Sequence, residues 1–397
     1  MSLLELITKA SANRESSGPH SRHPIILNPG EAFLSLKPKL ENPDPKLLVS
    51  PVTGWQLSPI DARLIESSND FCAELRRKLK DTKGIKKGEF FGVLKRFLEG
   101  VRERVGVSVG VDASDEGYVL VLVREVGPFV GRDAAGLVLE ACIRLEVWDL
   151  VEALIVNGIV GHSSYSMLVM SLVEKKRSGL VCLAIKHARD FGLSELLAIL
   201  KYLLRPTKDA YVAMTDVRKE WESQGLLAIE KVRDKKLPSE KSQLAKDASI
   251  LLMVACDGFL TYELCLHYLL ASPNVDDVIL SSCIGKLNEK ETMNLVRYLG
   301  KWLKKYNMFP QAIPCPEAAS VLGLKACDSV PKLGDVVRWL GLVLDESFTS
   351  VVLHSEFHEE LKAIRKLVDS LAAEAKGCCV ISNIIENLRT QADGEHD

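Results

Sequence analysis

From about Arg132 onward the chain reads as one amphipathic stretch after another, joined by connections too short to hold any other element. Each stretch is apolar along a single helical stripe, and a helix of that kind must bury its stripe against a neighbour. The spacing predicts helices over 133–145 and 147–157, the second closed by Gly158 as its C-terminal cap. Ser163 or Ser164 is placed to cap the next, which runs through 174. A helix over 180–190 then meets Gly192, and Ser194 is a candidate cap for one over 195–204. Helix starts recur about every 15 residues, so a helix pair repeats near 30, within the range of α-solenoids. No residue-level repeat signature goes with that period. The expected fold is all-α: an irregular, α-solenoid-like array of antiparallel helix pairs.

Pro206 interrupts the row, and a more polar piece follows through 236, with Trp221, Leu226, Ile229 and Val232 facing inwards. Pro238 and Ser239 restart it, Ser239 as the cap, with helices over 244–256 and 259–271. Pro273 delimits two more, over 275–287 and 289–308. The three prolines within 310–316 read as a linker, and three helices are expected beyond it. The last carries Phe357, Leu361, Ile364, Val368, Leu371 and Ala375 at alternating four- and three-residue steps. That is the seam of a helix packed lengthwise on a partner helix.

Eight of the sixteen prolines fall within the first sixty residues. Proline removes a backbone donor and pushes its predecessor out of helix geometry, so 1–58 is expected to be mostly disordered. Short docked patches are expected near 32–36 and 55–57. From Pro59 the pattern turns helical, through Ile60, Leu64, Ile65, Phe71 and Leu75. Between 105 and 126, Val-Gly alternation and the β-branched run from Tyr118 to Val123 admit two readings. One is a small hairpin around 112–117; the other is a helix from Tyr118. The expected organisation is an irregular segment (1–58), a helical region with a basic cluster (59–131), a helical array (132–309), a C-terminal helical domain (310–390) and a disordered tail (391–397).

Composition narrows the function classes. A net charge of −2 supplies no global field towards nucleic acid or anionic lipid, so polyanion contact would need a local patch. Ten cysteines without a Cys-x-x-Cys pair, mostly on apolar faces, suit a reducing compartment and the role of small hydrophobes. The start of the chain is no secretory signal, because its apolar run (Leu3, Leu4, Leu6, Ile7) is interrupted by Glu5 and stops after about two turns. The most apolar later run, 248–271, carries Asp257, Glu263 and His267, each costly in lipid, so no membrane span is expected.

The motifs that could carry chemistry are weak. His354 and His358 stand four apart, a spacing that can serve one metal, but Ser355 follows the first and no third ligand is evident. Cys256, Cys265 and His267 are spaced nine and two apart, which does not converge on one tetrahedral site. The vicinal Cys378 and Cys379 diverge on a helix. Gly161-His162-Ser163-Ser164-Tyr165 is not a nucleophile elbow, and the glycines at 106, 110 and 117 lack the lysine and hydroxyl of a phosphate loop. An aspartate such as Asp345, closing an apolar helix, reads as a cap for the next turn. No catalytic residue, cofactor, metal or small-molecule substrate is expected.

One charge signal stands out. Arg76, Arg77, Lys78, Lys80, Lys83, Lys86 and Lys87 set seven cations against one anion. They could neutralise RNA phosphates or serve as a nuclear import address; the bland alternative is a solvated helix end and loop.

Near the C-terminus, Trp339, Leu340, Leu344, Asp345, Phe348 and Thr349 spell a tryptophan, an apolar turn, a Leu-Asp pair and a Phe-Thr pair. An apolar patch (Val351, Val352, Leu353) and a long closing helix follow. This arrangement resembles the C-terminal helical region of the nucleolar protein eleven family. The chain departs from it at Glu346 and Ser347, where relatives carry Ala-His, and upstream, from about Leu137, the likeness is one of pattern only. Family members also carry an N-terminal β-propeller, and this sequence shows no blade-like strand repeats. The resemblance implies a nucleolar subunit of the small-subunit processome that supports ribosomal RNA transcription and 18S processing through protein contacts. Its partners would be other processome proteins, docked through helices around Trp339 and Phe348. The competing expectation is a cytosolic α-solenoid adaptor in membrane traffic or protein turnover.

Overall fold

The computed structural model describes residues 59–80, 85–112, 117–234 and 237–394. The expectations for 1–58 and for Lys83 lie outside these. The chain divides into two units, Met1–Arg63 and Leu64–Asp397, and only the second is described at any length. The expected boundaries at 131/132 and 309/310 fall inside that second unit.

The fold is all-α, with no strand among the described residues. The first helices are α1 (Pro59–Lys80), α2 (Lys87–Val105) and α3 (Tyr118–Val126), then a 3-10 turn at Gly127–Phe129. The choice at 105–126 goes to the helix. Tyr118, Val119, Leu122, Val123 and Val126 all fall on one buried face of α3, and that packing outweighs the β-branched preference of the run.

Next come α4 (Arg132–Arg144), α5 (Trp148–Val156), α6 (His162–Glu174), α7 (Ser178–His187), α8 (Leu193–Leu204) and α9 (Lys208–Arg233). Alternate helices stack: α4 on α6 and α6 on α8 in one layer, α3 on α5, α5 on α7 and α7 on α9 in the other. The turns between them share one geometry. Glu146, Gly158 and Lys176 each adopt a left-handed φ, of 53°, 65° and 56°. The residue after each donates its N–H back to the helix just ended: Val147 to Cys142 O at 2.9 Å, Ile159 to Leu154 O at 3.0 Å, Arg177 to Leu172 O at 2.9 Å. This closure satisfies carbonyls that a helix end otherwise leaves bare.

The expected serine caps are corrected. Gly161 is the N-cap of α6, so Ser163 and Ser164 lie within the helix, and Gly192 rather than Ser194 precedes α8. At Gly192 the Glu195 carboxylate folds back over the helix start, in the space a Cβ would occupy. Pro238, not Ser239, is the N-cap of α10 (Ser239–Cys256).

Beyond α10 the layering becomes irregular. α10 packs along α9, while α11 (Thr261–Leu270) wedges against α7, α8 and α9. α12 (Asp277–Ile284) joins α8, and α13 (Glu289–Met308) carries the C-terminal helices. These are four rather than three: α14 (Glu317–Leu322), α15 (Leu333–Glu346), α16 (Phe348–Leu353) and α17 (Ser355–Gly394), with a 3-10 turn at Lys325–Ser329 after the first. α15 and α17 both lie on α13. α17 runs 40 residues and continues through 391–394, where a frayed tail was expected. One core threads the described second unit, from Phe71 to Ile364.

Candidate functional site

The six motif residues divide between core and surface. Trp339 and Leu340 are buried, on the side of α15 that faces α13 and α12, and Leu344 is half-buried. Asp345, Phe348 and Thr349 are exposed, Phe348 by 66%. Of the segment around Trp339 and Phe348 where docking was expected, only the second half is exposed. The chain turns at Ser347, and the six-residue α16 sends Val351 inward while Val352 and Leu353 stand out with Phe348. Asp345 does not cap α16, whose N-cap Ser347 has no side-chain hydrogen bond. The neighbouring Glu346 instead accepts a hydrogen bond from the Ser281 hydroxyl on α12.

Just beyond this apolar knuckle the two histidines turn apart. His354 Nε2 lies 2.9 Å from Glu289 Oε1 on α13, whereas His358 Nε2 donates to the Val352 carbonyl at 2.9 Å. They share no point, and no group of three or more metal-ligating side chains occurs among the described residues. Cys256, Cys265 and His267 do not converge either. His267 is fully buried, its Nε2 donating to the Ala255 carbonyl at 3.1 Å and its Nδ1 accepting from the Tyr298 hydroxyl at 2.8 Å. Burial pushes its pKa down to about 3, so the ring is neutral. Cys265 sits against Cys182, whose thiol that contact and burial drive well above its ordinary range.

The basic cluster stays on the surface. Arg76, Arg77 and Lys80 are exposed at the end of α1, and Lys86 and Lys87 are exposed at the start of α2. Lys78 is taken up by Glu74 and Glu89. Cations in the last turn of a helix complement its dipole, which accounts for part of the cluster without any ligand.

A concave feature lies elsewhere, and no motif in the sequence marks it. A groove of about 580 Å³ crosses the layer of α5, α7 and α9. Its floor is apolar (Leu180, Val217, Tyr268), and the Arg177 guanidinium covers the Trp148 ring at 4.7 Å. Four acids and four bases share its rim, so it has no net sign. Two buried polar atoms on its wall, Trp148 Nε1 and Gln224 Oε1, have no hydrogen-bond partner. Its cysteine is the buried Cys182, and no histidine lines it. The groove offers apolar contact and two free hydrogen-bonding atoms. The stacking of α5, α7 and α9, about 30 residues apart, assembles it together with Tyr268 and the turn at Lys325 and Ala326, so no linear motif could have shown it.

No family model and no curated protein matches the chain. No helix among the described residues is long and apolar enough to cross a membrane.

Proposed function

We propose that this chain is a non-enzymatic scaffold subunit of a nucleolar ribosome-assembly complex, holding other processome proteins against its stacked helices. The observation that carries the reading is the knuckle on α16: Phe348, Val352 and Leu353 stand 66%, 51% and 73% exposed within the segment that resembles the nucleolar family. Large apolar side chains clustered on a turn cost solvation and contribute nothing to the core, which is what a docking surface requires. The layered helices support the same reading, because they present long faces to partners. The exposed part of the basic cluster is the proposed contact for RNA or for an import receptor.

The test pairs location with binding. The tagged full-length chain should accumulate in nucleoli and retain processome proteins on affinity capture. A Phe348→Ser, Leu353→Ser variant should lose those proteins while keeping its melting temperature, since neither side chain is buried. Cytosolic accumulation would favour the adaptor reading instead. Neutralising Arg76, Arg77, Lys86 and Lys87 should weaken polyanion binding or nuclear entry; if both are intact, the cluster is only a solvated helix end.

A further inference from the structure

The closing helix α17 outruns the body it packs on. Its first turns are anchored: Phe357 and Ile364 are buried, and a Cβ at Gly300 of α13 would come within 3.2 Å of Ile364 Cγ1. From Ala372 to Leu388 every described side chain is exposed. Yet that stretch is not polar. Val380, Ile381, Ile384, Ile385 and Leu388 are 46–58% exposed and recur at helical spacing on one broad stripe. β-branched residues are poor helix formers, and a lone overhang of this length is marginal in water. It requires a cover.

The pattern of α17 says what kind of cover. Read outward from Lys376, the sequence is an apolar palindrome: Leu371 answers Ile381, Val368 answers Ile384, and Leu367 answers Ile385. The centre is small on both sides, with Ala373, Ala375, Gly377 and Cys379. We infer that α17 pairs antiparallel with α17 of a second copy, about a two-fold axis at Lys376. Each copy's exposed Ile381 and Ile385 then lie on the other's half-covered Leu371 and Leu367. A two-fold pairing needs a self-complementary surface, and a palindrome along a helix provides one. The paired span, 367–385, is about 27 Å long and would cover on the order of 900 Å² in all, the size of a weak, reversible interface. A parallel pairing in register is disfavoured because Glu374, in the middle of the stripe, would face its own copy.

The proposal is independent of the scaffold reading, and its test uses the full chain alone. Light scattering across 1–100 µM should show a mass of twice 43.8 kDa at the upper end. Ile381→Asp with Ile385→Asp should raise the dissociation constant at least tenfold and lower the helical circular dichroism of the overhang, with an unchanged melting temperature for the body, because neither side chain is buried within its own chain. For direction, Glu374→Cys places a thiol opposite the partner copy's native Cys378, so mild oxidation should give a covalent dimer linked 374 to 378. A wild-type chain that is monomeric at 100 µM overturns the inference. So does a Cys378–Cys378 cross-link in the wild-type chain, which only the parallel arrangement allows.

Discussion

His267 shows how far a residue's meaning depends on what surrounds it. In sequence it stands near two cysteines; in the fold it is a neutral ring fixed between Ala255 and Tyr298, with Phe259 at 4.7 Å and Trp302 at 4.9 Å between ring centroids. Its folded pKa, about 3, lies below the roughly 6.5 of an unfolded histidine. Between those values the unfolded chain binds the extra proton, so stability rises with pH there. The contribution is complete above about pH 6.5 and falls by roughly 1.4 kcal/mol per unit as pH drops towards 3. Denaturant unfolding at pH 7, 6 and 5 should show this loss, and His267→Gln, which cannot titrate, should lose less over the same range. Trp339 and Phe348 make the complementary point. Both are aromatics in one apolar segment, yet one is 1% exposed and the other 66%. The spacing placed both on helices; the turn at Ser347 separated them.

At the scale of elements, most helices between 132 and 308 were readable, and one, α13, has the expected bounds, 289–308. Its capping box, Asn288 with Glu291, is the sort of local signal that makes an end legible. The missed starts at Gly161, Gly192 and Pro238 lacked a side-chain cap, so a serine nearby was a misleading cue. Glycines give a matched pair of predictions. A Cβ would meet nothing within 4 Å at either Gly158 or Gly225, so conformation alone decides the outcome. Gly158, at φ 65°, closes α5, and Gly158→Ala should cost about 1–2 kcal/mol. Gly225 lies inside α9, and Gly225→Ala should gain about 0.5–1 kcal/mol. Thermal unfolding of the two variants should move in opposite directions.

For the whole molecule, the C-terminal helices belong to the same core as the array, since α15 and α17 both cover α13. Ending the chain at Phe309 would remove Trp339 and uncover the side of α13 around Gly300, against which Ile364 packs. Such a truncation should lose cooperative unfolding and near-ultraviolet aromatic signal, so point variants on α16 are the better probe of partner binding. Gly300 packs directly against Ile364 of α17, and Gly300→Leu should overpack that crossing and cost about 1–3 kcal/mol in denaturant unfolding. What the sequence determined by itself is the all-α class, the rhythm of helices about 15 residues apart and the identity of most buried stripes, because periodicity is a local property. Tertiary structure alone decided which layer each helix joins, that Phe348 faces water while Trp339 does not, and that a groove opens across α5, α7 and α9. Those outcomes depend on which distant surfaces meet, and a helix carries no mark along its own sequence of the neighbour that will cover it.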